Sequence, residues 1–156
     1  MIGRLTGITC DVILLRVEIV QDTNVFVAAL RSQNGASAEV LDRCLAHEDL
    51  AIMGDALFAE YEELVRREAL WQDVPVTAAE RETLLDDFCA AATWQPIYFR
   101  WRPNLPDADD DQVLELAIAG GVEHLVTHNT RDFGRGELKF ELPRVVTPAQ
   151  HLKIVK

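Results

Sequence analysis

Cysteine is scarce in this chain of 156 residues. Cys10, Cys44 and Cys89 are odd in number and far apart, with no CxxC pair and no Cys/His cluster. That spacing argues against a disulfide framework and against structural zinc, and a reducing cytoplasm is the expected setting. Long apolar runs are missing as well. Residues 12–15 and 25–30 fall far short of the ~20 residues a membrane helix needs. No basic segment followed by a long apolar one opens the chain, so neither a span nor a signal peptide is expected. Basic charge is in deficit: 15 Lys and Arg face 26 Asp and Glu, a formal net charge of −11. The average field of such a chain repels a polyanion. Nucleic acid would have to meet a local basic patch, or a divalent cation held where acids gather.

Glycine and proline are few, and no repeat or low-complexity tract divides the chain, so its length suits one domain with a core that needs no staples. Residues 16–20 (RVEIV) alternate and run into Asp22-Thr23-Asn24, which reads as a strand meeting a turn. A helix can start at 25–30. Residues 37–47 place Val40, Leu41, Cys44 and Leu45 on one helical face, 50–53 reads as a short strand, and 55–68 as a helix with Leu57, Phe58, Tyr61, Leu64 and Val65 inward. Thr77 and Glu80 form a capping box for a helix over 77–92. Residues 94–102 are aromatic and basic, and Pro103 and Pro106 end that stretch. Helical spacing resumes at Val113, Leu114, Ala117 and Ile118 and stops at Gly120-Gly121. Strands are expected at 124–127 and 144–147, and Pro148 can open a last turn of helix. Strand and helix alternate from residue 16 onward, the pattern of an α/β sandwich with a mostly parallel sheet. Residues 1–15 are an extra N-terminal element without an assigned place, and 16–156 form the domain.

In an open parallel sheet, ligands bind beyond the carboxyl ends of the strands. Asp22 follows the first strand, Asp109, Asp110 and Asp111 begin a helix, and Asn129 and Asp132 follow the strand at 124–127. Acids gathered there from distant parts of the chain repel one another, and a hard cation with oxygen ligands resolves that repulsion. Each acid alone has a plainer reading: Asp22 as a helix cap or turn residue, the acids at 109–111 as complements to a helix dipole. By spacing, Asp110 shares the inward face of Val113 and Leu114. Glu63 points away from the apolar stripe of its helix, while Glu60 and Glu62 lie on opposite edges of that stripe, and spacing does not choose between them.

Five stretches taken in order resemble the PIN-domain family, in particular the PIN-type toxins of bacterial and archaeal toxin–antitoxin systems: 20–25 (VQDTNV), 59–64 (AEYEEL), 106–117 (PDADDDQVLELA), 125–133 (LVTHNTRDF) and 145–152 (VVTPAQHL). The resemblance implies a three-layer α/β/α fold and a Mg²⁺- or Mn²⁺-dependent endoribonuclease blocked by an antitoxin protein. Asp22 matches the family's first acid and Glu60 its second. Asp110 matches the third by its distance to Leu114 and Ala117, whereas a gap-free match to the strand at Leu125 selects Asp111. The fourth acidic position falls on Asn129, which ligates through one neutral carbonyl oxygen, and Asp132 can supply the missing charge.

The implied chemistry is in-line hydrolysis of an RNA phosphodiester, leaving a 5′-phosphate and a 3′-hydroxyl. Asp22 and Asp110 or Asp111 hold the metal, Glu60 orients or deprotonates the attacking water, and Thr23 and Asn24 fix the loop and meet the substrate. Arg131 is a phosphate-contact candidate, with Arg66, Arg67, Arg100, Arg102 and Arg135. Trp101 could stack a base and His128 could touch substrate, although a core tryptophan and a lone surface histidine are the plainer readings. RNA and an antitoxin are the implied partners, homodimerisation is left open, and no membrane is involved. Two rival readings stand beside this one. A phosphatase of the HAD type would use Asp22 as nucleophile, but Asn24 stands where its second Asp belongs. A PIN-like interaction module would have a metal site weakened by Asn129.

Overall fold

The computed structural model describes residues 16–98, 105–136 and 141–156. The N-terminal element 1–15 with Cys10 lies outside the described residues, as do Arg100, Trp101 and Arg102. The described residues fold as an α/β/α sandwich around one sheet. Its strands are β1 (Val17–Gln21), β2 (Asp49–Met53), β3 (Thr93–Trp94), β4 (His124–Val126) and β5 (Arg144–Val146), all parallel, in the order β3-β2-β1-β4-β5. The helices are α1 (Thr23–Arg31), α2 (Ala36–Leu45), α3 (Asp55–Arg66), α4 (Ala78–Ala91), α5 (Ala108–Ala119), α6 (Thr130–Phe133) and α7 (Pro148–Val155), with a 3-10 turn at Glu68–Leu70.

Local chemistry explains most boundaries. Asp22 caps α1 by accepting from the Thr23 amide, Thr77 and Glu80 close the expected capping box on α4, and Thr147 and Gln150 close a second one on α7. Asp107 caps α5 by accepting from the Asp109 amide, and the chain leaves that helix through Gly121, whose φ of 61° suits a residue without Cβ. The central strands β1 and β4 bury Ile19, Val20, Leu125 and Val126 completely. Phe26, Tyr61 and Phe88 pack ring to ring at 5.0–5.9 Å and join α1, α3 and α4. The Tyr61 hydroxyl donates to the Gln21 carbonyl at 2.7 Å, which ties α3 to the last residue of β1.

β3 and α6 went unread in the sequence. β3 has two residues and α6 four, too few for either periodicity to register. The expectation for α5 needs correction. Asp111, not Asp110, takes the inward position: it is 1% exposed and accepts the Leu105 amide at 2.9 Å, while Asp110 is half-buried.

At the amino-terminal edge of the sheet lies a buried polar chain. Arg43 of α2 donates from Nε and Nη2 to the two carboxylate oxygens of Asp49, at 2.8 and 3.0 Å. His151 of α7 bridges Asp49 through Nε2 and His124 through Nδ1, each at 2.8 Å. The network fastens α7 to the first residues of β2 and β4.

Candidate active site

The order of the strands reverses between β1 and β4. In a sheet of this kind the crevice beyond the carboxyl ends at such a switch point is where ligands bind. Asp22 leaves β1 at that point and Thr127 leaves β4. Thr127, fully buried, donates from Oγ1 to Asp22 Oδ2 at 2.8 Å, and the Thr23 amide donates to Oδ1 at 2.7 Å. Asn24 Nδ2 sits 3.3 Å from Asp22 Oδ2 and 3.2 Å from Thr127 Oγ1. The cap reading and the site reading of Asp22 therefore hold together: one carboxylate starts α1 and closes the switch point. Burial pushes its pKa up, against the hydrogen bonds from Thr127 and Thr23 that lower it.

Glu60 approaches from α3, one residue before the Tyr61 anchor. Thr23 Oγ1 donates to Glu60 Oε1 at 3.3 Å. Burial, and then the charges of Asp22 and Asp109, push Glu60 up to about 7. Asp110 arrives from the first turn of α5, pushed up to about 6 by burial and then by Asp22, Asp107 and Asp132. Glu62, the rival on the other edge of the stripe, pairs instead with Arg66 at 3.3 Å, and Glu63 with Arg67. Asn129 completes the edge: its amide N–H binds Thr127 Oγ1 at 3.0 Å and its Nδ2 donates to Asp132 Oδ2 at 2.6 Å. Burial first, and neighbouring acidic charges after it, raise all three acids at the switch point, an environment that suits positive charge.

The PIN-domain model matches residues 18–131. The chain belongs to the PIN-domain family. The match runs from β1 into α6 and takes in Asp22, Glu60, Asp110, Asp111 and Asn129. Among solved structures, the crystal structure of VapBC2 from Rickettsia felis, bound to a DNA fragment from its promoter, contains a chain with the same fold. It aligns with 84% of this chain and 98% of its own length, at a TM-score of 0.57 and 16% sequence identity. Comparison with curated proteins gives no match. A PIN domain replaces the phosphatase reading, and Asn24, bonded to Asp22 and Thr127, is a brace for the first acid.

Thr127 is the residue this PIN domain adds to those singled out in the sequence. It holds Asp22, Asn24 and Asn129 at once. Its signal was available: a hydroxyl at the carboxyl end of a buried strand has few partners other than the ends of neighbouring strands.

The donor set suits a hard cation, being carboxylate oxygens brought together at a partly buried edge. Among the described residues no group of three or more His, Cys, Asp and Glu is arranged to hold an ion. Of the described phosphate-contact candidates, Arg66 and Arg67 are engaged by glutamates, and Arg135 lies 3.7 Å from Asp132. Arg131 is exposed and makes no ion pair among the described residues. Among those residues no helix is long and apolar enough to cross a membrane.

Proposed function

We propose that this PIN domain is a Mg²⁺- or Mn²⁺-dependent endoribonuclease, the toxin of a toxin–antitoxin pair, acting in the cytoplasm and restrained by an antitoxin protein. The observation that carries the reading is the convergence of Asp22, Glu60 and Asp110, from three separate elements, at the switch point of the sheet. The partner rests on analogy with VapBC2.

Asp22 and Asp110 would hold the ion; Asp111, engaged with the Leu105 amide, serves the start of α5. Bound there, the ion supplies positive charge against the scissile phosphate and lowers the pKa of water. Glu60 takes a proton from the attacking water. Thr23 holds Glu60, Asn24 and Thr127 hold Asp22, and the exposed Arg131 would meet the RNA backbone. Asp132, bonded to Asn129, supplies the charge that the fourth position lacks.

Three measurements test this. Millimolar Mn²⁺ raises the melting temperature by linkage, and Asp22→Asn removes most of that gain. Single-stranded RNA is cleaved by the wild type, and Asp22→Asn, Glu60→Gln or Asp110→Asn each costs about a hundredfold or more. Asp111→Asn, once shown to be folded, retains more activity than Asp110→Asn; the opposite order reassigns the third acid. Asn129→Asp strengthens Mg²⁺ binding and Asp132→Ala weakens it. The neutral Asn129 favours one competing reading, an interaction module without cleavage. It prevails if antitoxin-free protein leaves RNA intact in Mn²⁺ and neither of those two changes alters metal binding.

A further inference from the structure

We propose that His128 is a substrate-contacting residue of this site, donating to a phosphate oxygen of the RNA strand beside the scissile bond, and that Ser37 positions it. The inference rests on the ribonuclease reading and extends it to a pair of residues outside the acid cluster.

His128 is exposed, yet it is held from two sides. Its Nε2 lies 2.7 Å from the Oγ of Ser37, a buried residue in the first turn of α2. Its backbone N–H donates to Asn24 Oδ1 at 3.2 Å. An exposed side chain gives up rotamer freedom to be fixed in this way, and the anchor comes from an element 91 residues away in sequence. Its chain neighbours both serve the site: Thr127 binds Asp22, and Asn129 binds Asp132. The imidazole is thus set at a fixed offset from the first acid.

The site needs such a group. It is lined by carboxylates in a chain of net charge −11, so an RNA backbone crossing it needs donors at its rim. Of the described arginines considered for that role, Arg66, Arg67 and Arg135 are already paired, which leaves Arg131 and His128 on one short segment. In the tautomer in which the Ser37 hydroxyl donates to Nε2, the ring hydrogen lies on Nδ1. Nδ1 has no hydrogen-bond partner among the described residues. A phosphate oxygen suits that N–H, because every nucleotide presents one whatever its base.

The test is RNA binding, measured in Mg²⁺ by fluorescence anisotropy with labelled oligo(U) and oligo(A), on the Asp22→Asn background so that no strand is cut. His128→Phe, which keeps a ring and removes the donor, weakens both oligonucleotides by about tenfold. In the cleaving protein it raises KM and leaves kcat within about twofold, as loss of uniform binding requires. Ser37→Ala reproduces part of the loss and Ser37→Thr restores it. Ser37→Ala adds nothing in the His128→Phe background, a coupling that a purely structural serine would not show. RNA bound and cleaved by the wild type with His128→Phe unchanged overturns the proposal and leaves the ribonuclease standing. A loss confined to one base overturns the phosphate assignment. Absence of both binding and cleavage in the wild type overturns the ribonuclease reading, and this proposal with it.

Discussion

Asp22 shows why single residues resist classification from sequence. A strand followed by Asp-Thr-Asn was legible, and the cap does not exclude a site role, because the carboxylate that caps α1 also lies at the switch point of the sheet. The choice between Asp110 and Asp111 was not legible. Facing arguments need a helix with a dry side and a wet side, and α5 is buried at Asp111 and from Val113 to Ala117. With no solvated stripe over that stretch, spacing carries no direction. Glu60 offers a test at this scale. Burial and the charges of Asp22 and Asp109 oppose its ionisation, so above pH 7 the metal-free fold holds a charge it disfavours. Glu60→Gln removes that charge and keeps an acceptor for Thr23. It is expected to raise the metal-free melting temperature at pH 8 by a few degrees while abolishing cleavage. A variant that is inactive and also melts lower would show that Glu60 stabilises the fold.

Elements were legible in proportion to their length and to the chemistry of their ends. α4 and α7 announce themselves by Thr77, Glu80 and Pro148. β3 and α6 have no such signals, and their existence depends on neighbours: β3 pairs with β2 through Ile52 and Met53, and α6 follows the loop bound to Thr127 and Asp132. What fastens α7 was also hidden, since His124 and His151 are 27 residues apart and Asp49 is 102 from His151. Burial alone would raise Asp49, but hydrogen bonds from His151 and Arg43 hold it at about 2. His151→Ala leaves a cavity and an unbonded nitrogen on His124, at a cost of about 2–4 kcal/mol. Hydrogen exchange is expected to accelerate across residues 148–155. Cleavage below the melting transition is expected to persist, because Asp49 and His124 begin their strands while the acids lie beyond the strand ends. Unchanged protection of α7 would show that apolar contacts alone hold it.

Across the whole molecule, two groups of titrating residues pull stability in opposite directions with pH. Glu60 and Asp110 sit near 7 and 6 in the folded state, above their ordinary values of 4.5 and 3.8. The fold therefore binds more protons than the unfolded chain across that range, and stability falls as pH rises through it. The net charge of −11 adds self-repulsion in the same direction. His124 acts the other way. Burial and its neighbour His151 lower its pKa below 6.5, so stability falls as pH drops below that value. Asp49 contributes above its ordinary 3.8 and is lost as pH falls towards 2. Stability of the metal-free protein should therefore peak at mildly acidic pH, where the acid cluster is partly protonated and Asp49 is still charged. Saturating Mn²⁺ supplies the cluster with positive charge and removes the alkaline penalty, so the peak should broaden towards neutral pH. Melting temperatures from pH 4 to 9, in EDTA and in Mn²⁺, read this directly. The alkaline limb in EDTA should flatten in Asp110→Asn, which removes one of the two raised acids. Parallel curves with and without Mn²⁺ would mean that the cluster does not take up the ion, and an unchanged alkaline limb in Asp110→Asn would mean that its charge is not what the fold resists.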